Sequence, residues 1–239
     1  MRSEPRPEPT CAAILACEMI EDETLLALER VFPEDARPPL VWIEAALHDR
    51  PEKLQKALQG LVSELDEGAR AGQPVNVRSV LPGEGPVAER LVQVEVAPQG
   101  DIVLGFGYCG GGLKELMSTE RRLVFPRVDA NTLHDSFTDW VKRYGPERAK
   151  RVRDMMYAHY ERLTLIDTGA YDVGEWLPMS ESRAEELGLA HAVVPGSVQT
   201  LVRLFGGDWD TPDIVVVEPG EAVGIDHVFD VEGSRPVCQ

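Results

Sequence analysis

The sequence predicts an α/β protein: a mostly parallel sheet of about six or seven strands with helices on both faces. Three observations carry that expectation. Apolar runs of strand length alternate with amphipathic stretches along nearly the whole chain. The run Ile214-Val-Val-Val217 is continuously β-branched, the pattern of a strand buried on both faces. Between them, Asp101 to Met117 reads as a strand, a glycine turn and the start of a helix.

The elements follow in order. Ala12 to Cys17 is strand one, and Glu21 to Val31 a helix with Leu25, Leu28 and Val31 on one face. Leu40 to Leu47 is strand two. Pro51 then opens a helix whose Leu54, Leu58, Leu61 and Leu65 form one stripe, proline being favoured in a first turn. Residues 68–100 break the rhythm with prolines and glycines around one strand-like run, Leu91 to Val96, and read as a surface insertion. Strand three is Ile102 to Gly107, and a short helix carrying Leu113, Leu116 and Met117 is expected after the turn. Arg122 to Val128 gives strand four, with helices over Thr132 to Tyr144 and from Pro146 to Arg162. Leu163 to Ile166 is strand five. A helix at Ser180 to Leu187, a strand at His191 to Val194 and a helix at Val198 to Phe205 precede the final strand.

In domain terms, residues 1–10 read as a disordered tail, 11–222 as the α/β domain and 223–239 as a second tail. A division into two Rossmann-like lobes near residues 130–160 is the finer expectation.

At 239 residues the chain can bury a sizeable core, and 43% hydrophobic with 27% charged residues is ordinary for a globular protein. The net charge of −17 repels phosphate backbones and anionic lipid surfaces, so neither nucleic acid nor a membrane is an expected partner. No stretch approaches the ~20 apolar residues of a membrane span. The Pro- and Glu-rich start has no apolar signal segment. Cys11, Cys17, Cys109 and Cys238 show no disulfide-framework spacing. A cytoplasmic location with reduced thiols is therefore expected.

Ligands of open parallel sheets bind beyond the carboxyl ends of the strands, where the strand order reverses. The expected strand ends carry Cys17-Glu18, His48-Asp49-Arg50, Cys109-Gly-Gly-Gly112, Arg127 with Asp129, Asp167-Thr168-Gly169 and Glu218-Pro-Gly220. Cys17 and Cys109, with His48, are soft ligands suited to zinc, iron or cobalt, although no C-x-x-C pair is present and isolated cysteines often serve as small buried hydrophobes. Cys109 is also a candidate nucleophile, its thiol made more acidic by the expected helix start, with His48 and Asp129 as candidate acid–base groups. Gly110, Gly111 and Gly112 would let a ligand approach the backbone. Arg127, Asp167 and Thr168 would bind its polar groups, yet an ion pair to Asp129 and a plain turn are equally good readings of these residues. Asp49 can simply cap the helix opened by Pro51. The spacing Gly105-x-Gly107-x-x-Gly110 matches a dinucleotide fingerprint formally, but its first glycines lie within the strand. No G-K-[ST] or G-x-S-x-G motif is present.

Several ordered blocks make the chain resemble a family of uncharacterised proteins, DUF1638. They are Ile14-Leu-Ala-Cys17, Leu47-His-Asp-Arg-Pro-Glu-Lys-Leu54, Leu104-Gly-Phe-Gly-Tyr-Cys-Gly-Gly-Gly-Leu113, Pro126-Arg-Val-Asp129, Ile166-Asp-Thr-Gly169, Leu204-Phe-Gly-Gly-Asp-Trp-Asp210 and Val217-Glu-Pro-Gly-Glu221. Members often stand beside corrinoid-dependent methyltransferases and their activating proteins. The resemblance thus implies one-carbon chemistry involving a corrinoid or tetrahydrofolate, and a methyltransferase or corrinoid protein as partner. The family pattern has Cys-Gly after strand one, Cys in the glycine turn and His-Asp-Cys after strand four. Cys17 and Cys109 match, whereas Glu18 replaces the glycine and Val128-Asp129-Ala130 lacks both the histidine and the third cysteine. A three-thiolate metal site is therefore not implied for this chain, and Asp129 is left as an oxygen ligand. Three functions stay open: a small-molecule, metal or cofactor site in methyl-group metabolism, a non-catalytic accessory protein, and a thiol-dependent transferase or lyase using Cys109.

Overall fold

The computed structural model describes residues 11–47, 50–83, 85–106, 112–127 and 162–224. Its centre is β1 (Cys11–Cys17), an apolar run in which every residue after Cys11 is buried. A strand with no polar face needs neighbours on both sides and layers above and below. β1 pairs in parallel with β2 (Leu40–Ile43) on one side and β5 (Asp101–Gly105) on the other. β5 pairs in parallel with β6 (Leu123–Pro126), and β6 pairs antiparallel with β9 (Ile214–Val217). The result is a five-stranded, mostly parallel sheet in the order β2-β1-β5-β6-β9.

The chain leaves β1 toward β2, then passes back across β1 to reach β5. Right-handed crossovers therefore place α1 (Glu21–Val31) and α2 (Pro51–Ala71) on opposite faces. α2 buries Leu54, Leu58, Leu61, Val62 and Leu65, the stripe its sequence spacing predicts plus Val62. It runs to Ala71 and stops at Gly72, whose φ of 66° is the left-handed cap that glycine adopts without strain. β3 (Val75–Val80) and β4 (Leu91–Val96) then form an antiparallel pair of their own, joined by a connection that includes the short helix α3 (Val87–Arg90). Ser79 Oγ of β3 accepts the Trp42 N–H of β2 at 2.8 Å, which seats this pair beside the central sheet. Past residue 161, β7 (Arg162–Asp167) and β8 (Ala190–Pro195) pair in parallel as a third, two-stranded sheet. α4 (Val173–Leu187) packs on that pair, and α5 (Gln199–Phe205) packs on α1, β5 and β6.

The expectation of six or seven strands in one sheet is met by five among the described residues, because β3–β4 and β7–β8 pair separately. Three local expectations change for physical reasons. β2 ends at Ile43, because the Ala45 N–H bonds to the Glu18 carboxylate at 2.8 Å and the chain turns through Ala45–Leu47. No helix forms at Leu113 to Met117. Glu115 takes a left-handed φ of 62°, its N–H goes to the Val223 carbonyl at 2.9 Å, and Met117 bridges Ala222. Leu113 and Leu116 are buried all the same, so their helical spacing reflects core packing of a turn. α4 starts at Val173 rather than near Ser180, with the Asp172 carboxylate accepting the Gly174 N–H at 2.9 Å; Pro178 is carried inside the helix.

Candidate functional site

The order β2-β1-β5 reverses direction between β1 and β5, and these two strands are parallel neighbours. Their carboxyl ends therefore open on a common edge at a topological switch point, the position at which α/β sheets of this kind bind ligands. Gly105, near the end of β5, lies so close to β1 that a Cβ there would stand 3.4 Å from the Ala16 Cβ and 3.6 Å from the Phe205 ring.

Cys17 ends β1 at this edge and is 4% exposed. Its Sγ accepts the Met19 N–H at 3.4 Å and so caps the turn Glu18–Ile20 that leads into α1. Glu18, the next residue, is 1% exposed, which for a carboxylate demands strong partners. One oxygen takes the Ala45 N–H; the other takes the Arg90 guanidinium, which also donates to the Leu81 carbonyl at 2.6 Å. Glu18 thus ties the ends of β1 and β2 to the β3–β4 connection. In α1, the buried Glu23 accepts the Thr168 hydroxyl at 3.0 Å, which brings the end of β7 to the same edge.

Arg127 follows β6 and therefore shares the edge. Its Nε donates to the Pro212 carbonyl at 3.1 Å and its N–H to the Asp213 carbonyl at 2.8 Å, so part of its hydrogen-bonding capacity holds the approach to β9. Asp213 accepts Thr200 and Arg203 at 3.1 Å and 3.0 Å. Asp167 is exposed; its carboxylate accepts the Gly169 N–H at 3.1 Å, with Gly169 at a φ of 73°. This is a side-chain-closed turn, the structural alternative that the residue types suggest. Gly112 is buried. His48, Cys109, Gly110, Gly111 and Asp129 lie outside the described residues.

Two expectations about this edge change. Glu218-Pro-Gly220 is on the opposite edge of the sheet: β9 is antiparallel, Val217 pairs with Leu123 at the start of β6, and Gly220 N–H reaches the Ser118 carbonyl. The helix start expected after the glycine turn is a non-helical turn, so the argument that a helix dipole acidifies Cys109 loses its physical basis. Among the described residues no group of three His, Cys, Asp or Glu side chains could hold a metal ion. Of the expected metal ligands Cys17 alone is described, and its Sγ accepts the Met19 N–H. Sequence reasoning missed Arg90 entirely, since nothing in a Pro- and Gly-rich insertion announces a guanidinium aimed at the central sheet. Glu18 was visible as the residue after β1, but its burial was not.

Fold and edge together define an α/β protein with a mostly parallel sheet and a topological switch point between β1 and β5. A family model matches residues 130–205, that of DUF1638, described as a protein of unknown function. The matched stretch includes β7, α4, β8 and α5, with Asp167 and Thr168; Cys17, His48, Cys109, Arg127 and Asp129 precede it. No curated protein and no solved structure matches the chain. No helix among the described residues is long and apolar enough to cross a membrane.

Proposed function

We propose that the chain binds a small molecule or cofactor at the carboxyl edge of its central sheet, between the ends of β1 and β5. The strand reversal at that point carries the reading. Cys17 stands at the end of β1, Gly112 closes the run of three glycines, and Arg127 and Thr168 border the same edge. Cys109, His48 and Asp129 are the reactive groups in this proposal, and Gly110, Gly111 and Asp167 complete the ligand-binding set. The setting is methyl-group metabolism in the cytoplasm with a corrinoid or tetrahydrofolate, and a methyltransferase or corrinoid protein as partner; only the resemblance to DUF1638 supports it. A division into two Rossmann-like lobes near residues 130–160 belongs to the same proposal, favoured by the separate β7–β8 sheet beyond that boundary.

Native mass spectrometry of anaerobically purified full-length protein, alone and with added cobalamin or tetrahydrofolate, tests the reading. A bound small molecule that is weakened by Cys17→Ser or Cys109→Ser supports it. Absence of any adduct, or an adduct indifferent to both substitutions and to Arg127→Ala, overturns it.

A further inference from the structure

We draw no further inference here: the strongest candidate, the acidic first turn of α1 (Glu21, Asp22 and Glu23) at the carboxyl edge, where Glu23 accepts the Thr168 hydroxyl at 3.0 Å, belongs to the site already described, and nothing in the structure shows what it would bind.

Discussion

Cys11 and Cys17 begin and end the same strand, and their thiols meet different surroundings. The Cys11 thiol is pushed up to about 12, first by burial and then by the neighbouring Asp101 carboxylate. A raised thiol pKa means that the folded chain holds a proton the unfolded chain releases sooner. The contribution of this group to stability is thus complete below pH 9, where unfolded thiols stay protonated, and is lost as pH rises toward 12. Cys11 should accordingly resist alkylation at neutral pH, with its rate rising only in strongly alkaline buffer; modification at pH 7.5 as fast as in a denatured control would refute this. Beside it, Asp101 accepts both arms of the Arg122 guanidinium at 2.8 Å and 2.7 Å, and Arg122 lies 5.4 Å from the centre of the Trp209 ring. Asp101→Asn leaves that largely buried cation without its anion and should cost about 3 kcal/mol in denaturant unfolding. A loss within experimental error would mean that the Trp209 face and the nearby Glu218 carboxylate suffice to hold the guanidinium.

Two glycines of α2 separate helix propensity from packing. At exposed Gly60 a Cβ would meet nothing within 4 Å, so Gly60→Ala should stabilise the chain by up to about 1 kcal/mol. At Gly68 a Cβ would stand 2.4 Å from Val75 Cγ1 and 3.0 Å from the Gln73 carbonyl, so Gly68→Ala should cost about 1–3 kcal/mol despite the same gain in propensity. Thermal unfolding of the two variants checks both, and like signs would show that β3 yields to the helix. The contrast also explains which elements the sequence discloses. β1 and the stripe of α2 are readable because burial alone specifies them. The 113–117 turn misleads because Leu113 and Leu116 meet the core at a spacing shared with helices, while the backbone bond from Glu115 to Val223 is a partner more than a hundred residues away. The direction of β9 is equally silent, since Ile214 to Val217 would read the same parallel or antiparallel. At the edge, Cys17, Arg127 and Thr168 were legible as residues after strands. Glu18 and Arg90 were not, because a buried ion pair depends on two segments whose meeting no local pattern records.

On the scale of the whole molecule the three sheets are unequally protected. β1 is flanked on both sides and covered on both faces, whereas β7–β8 is a two-stranded parallel pair, an arrangement that ordinarily requires cover on both faces. In β8, Ala190 and Pro195 are exposed and Val193 is 43% exposed. The pair is held by α4, through contacts such as Ser180 Oγ to His191 Nε2 at 2.8 Å, and by the bond from Thr168 to Glu23 of α1. A two-stranded ladder with exposed residues along β8 meets the conditions for opening below the global unfolding free energy. Native-state hydrogen exchange should therefore place β7 and β8 at least about 2 kcal/mol below β1 and β5 in opening free energy. Thr168→Val should widen that gap, because it removes the bond to Glu23 while leaving the central ladders intact. If β7 and β8 instead open with β1 and β5 at one shared free energy in both proteins, the molecule is a single cooperative unit and the Thr168–Glu23 bond joins nothing that was separable.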